Sequence, residues 1–195
     1  LSLAPPVEDR PEMDRWVLSV LQSLISEVNA QMEGYYLYNV VPPTLGFIDH
    51  LTNWYVRRSR RRFWRSRGES GIGDADQLAA FATLYEVITK FSEVLAPVLP
   101  FITEHIYQDL VARHHPEGPS SVHHRDFPFA DEILIDHDLE ASMASVREVV
   151  RLGRNLRKRE GHRVRQPLAK LTVLTRDPLV AQAVETHSEV IIDEL

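Results

Sequence analysis

The chain has 195 residues, 44% hydrophobic and 26% charged, with a formal net charge of −6, which is ordinary for a globular protein and long enough for a sizeable core in one domain or a little more. It has no cysteine and only 8 glycines, which excludes disulfides, thiolate catalysis and cysteine-based zinc sites, fits a reducing compartment, and makes a glycine-rich phosphate cradle a poor expectation. No apolar run approaches the ~20 residues of a membrane helix; the longest, Val94 to Ile102, is broken by Pro97 and Pro100.

Residues 1–10, with Pro5, Pro6, Glu8 and Asp9, read as a linker. They carry no initiator Met and no basic n-region, so the chain reads as cut from something larger and not as one with a signal peptide. A first helix is expected from Pro11, a residue tolerated in a first turn. Val17, Leu21, Leu24, Val28 and Met32 recur at steps of four, three, four and four, the stripe of a core-facing helix. Tyr35 to Pro43 reads as a connection, because Pro42 and Pro43 remove amide donors and disfavour helix before them.

A second helix is expected from Thr44 to Arg65, and its end holds the chain's main reversal of charge. Asn53 to Arg67 contains seven arginines and no acid, interleaved with Trp54, Tyr55, Phe63 and Trp64. At 100° per residue, Val41, Leu45, Ile48, Thr52, Tyr55, Ser59 and Phe63 form one stripe, expected to be buried. Arg57, Arg61 and Arg65 fall opposite it, with Arg58 beside them. Arg60 and Arg62 flank the stripe, where they could pair with acids. Phe47 and Trp54 map to the arginine side and are expected to make a second packing contact. Guanidinium groups beside aromatics are the set that neutralises phosphates and stacks on bases; a solvated basic face is the alternative.

Ser66 to Gly73 is a loop by composition. Asp74 or Asp76 can cap a third helix, with Leu78, Phe81, Leu84 or Tyr85, Ile88, Phe91 or Ser92, and Leu95 as its stripe. Pro97 and Pro100 end it, and a fourth helix runs from Pro100 to about Arg113. Residues 114–136 are irregular. Their histidine pairs, His114-His115 and His123-His124, lack metal-site spacing and read as exposed loop residues. A fifth helix starts near Asp136 or Asp138, with Leu139, Met143, Val146, Val150, Gly153 and Leu156 as its stripe. Arg147 to Arg165 holds eight basic residues against Glu148 and Glu160, a second basic cluster. Leu171 to Thr175 reads as a short strand, and Pro178 to about His187 as a helix. There is no Walker lysine motif, and no Ser/His/Asp set can be paired.

Several of these segments resemble isoleucyl-tRNA synthetases, in the branch found in eukaryotes, archaea and some bacteria. The most specific is Phe47-Ile48-Asp49-His50-Leu51-Thr52-Asn53-Trp54-Tyr55-Val56-Arg57-Arg58-Ser59-Arg60-Arg61-Arg62-Phe63-Trp64. Asp14-Arg15-Trp16-Val17-Leu18-Ser19 and Arg165-Gln166-Pro167-Leu168 with the strand after it are similar too. Leu95 to Glu104 resembles a stretch common to the class I enzymes for Ile, Val and Leu. Asp126-Phe127-Pro128 departs mildly, since the family commonly has Trp in the middle position. The related valyl enzyme fits the Pro97 region but fits the arginine-rich helix poorly.

The resemblance implies a mainly α fold: a bundle of about five helices of the class I anticodon-binding type over residues 11–160, followed by a small, incomplete α/β element over residues 161–195. There Ile191 to Leu195 would lead into another strand. It implies binding to the anticodon stem-loop of tRNA(Ile), with the missing catalytic core of the same chain as the other partner, a cytoplasmic location and no membrane partner. The family's His-Ile-Gly-His and Lys-Met-Ser-Lys-Ser signatures and its editing domain are absent. So no catalytic residue and no cofactor or metal site is expected here, and ATP and Mg belong to the parent ligase. Arg57, Arg58, Arg61 and Arg65 are the primary candidates for backbone contacts and Trp64 for a base. Arg154, Arg157, Lys158, Arg163 and Arg165 are secondary candidates. The alternative function is a helical protein-interaction module with a basic docking face.

Overall fold

A computed structural model describes residues 3–65, 73–163 and 166–195. The fold is mainly α, and the chain divides into two compact units, Leu1–Ile135 and Asp136–Leu195.

In the first unit, α1 (Glu12–Glu33) follows Pro11, with Glu12 and Asp14 in its first turn, where acids complement the helix dipole. It buries Trp16, Val17, Leu18, Leu21, Leu24, Ile25 and Val28. It ends with Tyr35 in the left-handed region at φ 58°. The Tyr36 amide donates to Gln31 O (2.9 Å) and the Tyr35 amide to Met32 O (3.1 Å), which closes a Schellman-type cap. Residues before α1 are tied down as well. Buried Arg10 donates to Pro5 O, Thr83 Oγ1 and both carboxylate oxygens of Glu86.

The second helical stretch is continuous from Val41 to Phe63, in three parts: α2 (Val41–Asp49), a π-helical segment (His50–Val56) and α3 (Arg57–Phe63). Pro42 and Pro43 do not break it. They stand in its first turn, where amides have no intrahelical acceptor. The expected buried stripe is half right. Tyr55 and Ser59 are buried, but Val41, Leu45, Ile48 and Thr52 are exposed, and Val40, Thr44, Phe47 and Leu51 take their place. The π segment accounts for this, because i→i+5 bonding takes up extra residue per turn. The register upstream of it is thus displaced by one position. Phe47 and Trp54 pack inward as expected, with Phe47 at 4.8 Å (ring centroids) from Phe91.

Asp74 caps α4 (Ala75–Leu95) by accepting from the Gln77 amide at 2.8 Å. The face of α4 that packs deepest is not the expected line of large residues. Ala79, Ala80, Ala82, Thr83 and Val87 are fully buried, while Phe81 is 40% exposed. Small side chains there let α4 approach α1, which brings large residues to the same contact. α5 (Pro100–Tyr107) continues into a π segment, Gln108–Ala112. The irregular stretch after it is pinned by Glu104, which accepts from Ser121 Oγ (2.8 Å) and the Val122 amide (3.0 Å). It returns to α1, where Asn29 donates to Pro128 O (2.9 Å) and Gln22 accepts from the Asp131 amide (2.9 Å).

In the second unit Asp136 caps α6 (His137–Arg159), with α7 (Pro178–Thr186) and α8 (Ser188–Glu194) packed on it. Leu139, Met143, Val146 and Val150 are buried as expected, but Leu156 is exposed. Gly153 admits the C-terminal Leu195, whose Cδ1 would lie 2.5 Å from an added Cβ. The expected strand at Leu171–Thr175 is absent, and among the described residues there is no strand at all. A strand needs a ladder partner, and none is present here; Leu171 and Leu174 are exposed. Ile191–Leu195, expected to lead into another strand, falls in α8 and its C-cap. Among the described residues the expected α/β element is therefore irregular backbone followed by two short helices, without a strand.

Candidate nucleic-acid interface

The arginines of α3 divide into two chemically distinct sets. Arg62 turns inward. Its Nη1 and Nη2 donate to Asp14 Oδ1 and Oδ2 at 2.7 and 2.6 Å, a bidentate pair with a fully buried carboxylate. Nη2 also reaches Asp76 O (3.0 Å), and Nε lies 2.8 Å from Asp76 Oδ1, off the line of a hydrogen bond. The Tyr55 hydroxyl donates to the same Asp14 Oδ1 at 2.9 Å. Burial first, then the Asp14 charge and this hydrogen bond, hold the Tyr55 pKa far above its ordinary 10.0. For Arg62, burial pulls the pKa down, but the Asp14 and Asp76 carboxylates outweigh it and leave it raised. Asp14, Tyr55, Arg62 and Asp76 thus lock α1, α3 and α4 together. Of the two flanking arginines, Arg62 meets acids as expected and Arg60 does not.

The C-terminal carbonyls of α3 are held by a buried side chain from α4: Gln77 Nε2 donates to Arg62 O (3.0 Å) and Arg65 O (2.9 Å). Arg65 lies beside this cap. Its Nη1 bonds Asp74 Oδ2 at 2.5 Å, which raises its pKa, while the Gln77 amide and Arg65 lower that of Asp74. Arg65 is thus engaged with the N-cap of α4.

The outward face of α3 carries Arg57, Arg60, Arg61 and Trp64, which fall within one narrow sector at helical spacing. Arg57 is exposed, with Nε on Asn53 O (2.7 Å). Arg58 lies half-buried at the edge. Arg61 is exposed and has no hydrogen-bond or ion-pair partner among the described residues. The Arg60 guanidinium carbon sits 5.3 Å from the Trp64 ring centroid. Trp64 is 72% exposed, whereas Trp16 and Trp54 are buried. Arg60 is the residue that sequence reasoning left out of the site; its i, i+4 spacing to Trp64 is the signal that could have found it.

The second basic cluster is largely engaged internally. Arg157 was expected as a surface contact, but it is buried. Its Nη1 donates to Arg163 O (3.1 Å) and Gln166 O (2.8 Å), and its Nη2 to Leu195 O. Arg154 pairs with the buried Glu194 carboxylate. Lys158 and Arg163 are exposed, and Arg165 lies outside the described residues. Among the described residues no three His, Asp or Glu side chains gather as metal ligands, and no helix is long and apolar enough to cross a membrane.

A mainly helical chain with a basic, aromatic helix face suits a nucleic-acid-binding module. Residues 14–173 match the family described as the anticodon-binding domain of tRNA ligase, and the chain belongs to that family. Its relatives narrow the class. The chain is 47% identical over 173 residues to the isoleucine–tRNA ligase of Thermobifida fusca, covering 89% of this chain and 16% of that protein. It is 48% identical over 163 residues to that of Chlamydia caviae, covering 84% of this chain and 15% of that protein. With that of Dehalococcoides mccartyi it shares 39% over 185 residues, covering 95% and 18%. The chain therefore spans under a fifth of the length of these relatives. They are bacterial and lend no support to the eukaryote- and archaea-like branch suggested by the arginine-rich helix.

Proposed function

We propose that this chain is the anticodon-binding part of an isoleucine–tRNA ligase and that it binds the anticodon stem-loop of tRNA(Ile). The observation that carries the reading is the outward face of α3, where Arg57, Arg60, Arg61 and Trp64 stand together in a member of an anticodon-binding family. RNA sequence is read mainly in unpaired loops, whose phosphates attract cations and whose bases stack on aromatic or guanidinium planes. Arg57, Arg58 and Arg61 supply the cations on α3, and Lys158 and Arg163 are the exposed candidates of the second unit. Joining isoleucine to tRNA with ATP and Mg, in the cytoplasm, would belong to the parent enzyme's catalytic core.

The test is a titration of the chain against isoleucine and valine anticodon stem-loops at several salt concentrations. Arg57, Arg60 and Arg61, the three exposed arginines of α3, predict a slope of log K against log salt of about −2, at ~0.7 per phosphate of single strand. Replacing Arg57 and Arg61 together with Ala should weaken binding roughly tenfold at low salt and cut the slope by about 1.4, with helical content unchanged. Preference for the isoleucine loop supports the specific reading. An unchanged dissociation constant in the double variant removes this face from the interface, and no binding at low salt favours a docking face for protein.

A further inference from the structure

Several aromatic rings of the first unit are exposed, and one of them, Trp64, lies on the arginine face with a guanidinium over it. Trp64 is the only exposed tryptophan of three, it sits at the C-cap of α3, and a guanidinium from the preceding turn already covers part of its face. A large apolar ring left 72% exposed at the end of a charged helix loses hydration free energy that burial would recover. The surroundings select what could cover it. Arg57, Arg60 and Arg61 lie on the same face, so an acidic, flat ligand is favoured and a cationic one is repelled.

We propose that Arg60 and Trp64 form one preassembled stacking unit that takes a single unpaired RNA base on the open side of the Trp64 indole. This rests on the reading that the chain binds an anticodon stem-loop. Arg60 acts as a positioning residue: its cation–π contact holds the ring in place before RNA arrives and lowers the ordering cost of stacking. The same guanidinium lies within the cationic row that receives the phosphates flanking that base. The indole offers a π-face and one N–H donor, so the unit gives affinity for an unpaired base while leaving its identity to other contacts. Arg57 and Arg61, one turn apart in the row beside the pair, would grip the backbone and not the base.

Intrinsic fluorescence reads the unit directly, since Trp16 and Trp54 are buried. The 195-residue chain is titrated with the isoleucine anticodon stem-loop and with the same stem closed as a blunt duplex. Quenching by the stem-loop and not by the duplex is expected. Trp64→Ala should weaken stem-loop binding roughly 5- to 100-fold, while Trp64→Phe, which keeps a ring, should lose much less. Arg60→Lys should weaken binding and reduce quenching without changing the salt slope, because the charge is kept and the planar contact is lost. Equal quenching by the duplex, or Trp64→Ala within about twofold of the parent chain, overturns the stacking unit. If the Arg57 and Arg61 double variant still binds weakly in that case, only the stacking unit falls. If the unsubstituted chain binds neither RNA at low salt, the anticodon reading falls with it.

Discussion

The two arginine clusters look alike in sequence and do different things in the structure. On α3, Arg62 is turned into the protein, and Arg57, Arg60 and Arg61 have exposed side chains. On α6, Arg154 and Arg157 are committed to the C-terminal helix and to backbone carbonyls, and Arg151 to Glu148 at 2.6 Å. Counting charges does not tell a binding face from a set of internal clamps. What decides it is whether acids or unsatisfied carbonyls lie within reach on the neighbouring elements. Near α3, Asp14, Asp74 and Asp76 take only Arg62 and Arg65. Near the end of α6, Glu194 and the 163, 166 and 195 carbonyls take the two arginines best placed for a surface.

The sharpest way to break this comparison is to remove one clamp from each cluster. Arg62→Ala leaves Asp14 fully buried with only the Tyr55 hydroxyl, and a buried carboxylate stripped of its cation costs about 3–5 kcal/mol. Arg157→Ala leaves the Arg163, Gln166 and Leu195 backbone oxygens without this donor, and since residues 163 and 166 are exposed to water, roughly 2–3 kcal/mol is expected. Chemical denaturation of each variant checks both. If Arg62→Ala costs less than Arg157→Ala, the division into a locked α3 base and a clamped α6 end is wrong.

A smaller effect follows from Tyr55, and it is a pH dependence. Its folded pKa is raised above the ordinary 10.0, chiefly by burial and then by Asp14. The neutral phenol is therefore favoured by folding, so this contribution is complete below pH 10 and is lost as pH rises through 10 and beyond, where the unfolded chain alone ionises. Stability should fall with a slope approaching 1.4 kcal/mol per pH unit from this site. Tyr55→Phe should cost about 1–2 kcal/mol at neutral pH, since the one hydroxyl proton shared between Asp14 Oδ1 and Ala80 O goes while Asp14 keeps Arg62. The variant should also lose this part of the alkaline decline. A parallel decline in both proteins above pH 10 would assign it to other groups.

Much of this was legible in the sequence because it depends on local signals. The stripe of α1, a cap at Asp74, the first half of the α6 stripe and the buried roles of Tyr55 and Ser59 follow from period and propensity, and those of Phe47 and Trp54 from their size, against the period. The pairing of Asp14 with Arg62 does not, because forty-odd residues separate them. Each lies in a segment that resembles the synthetases, and nothing in either segment says that the two meet. Arg157 was misread for the same reason: its acceptors come from residues 163, 166 and 195. The strand at Leu171–Thr175 was read from β-branched alternation alone, and propensity without a partner strand makes no ladder.

The π segment His50–Val56 is the one feature that periodicity could not show, and it sets which face of α3 is free. An unbroken α-helix would bury Leu45 and Ile48 on the stripe of Tyr55; the observed register leaves Leu45 61% exposed and buries Thr44 and Phe47 instead. Leu45→Ala therefore tests the register with the smallest expected effect here. An exposed leucine in a helix gives up little packing and gains helix propensity on becoming alanine, so stability should stay within about 0.5 kcal/mol. A loss of about 2–5 kcal/mol, the usual result for truncating a buried leucine, would restore the unbroken stripe. It would also turn the upstream half of this helix by a residue relative to α3. Thermal melts of Leu45→Ala beside the parent chain decide between the two registers, and with them whether Arg57, Arg60, Arg61 and Trp64 continue the solvent-facing side of α2 or stand apart from it.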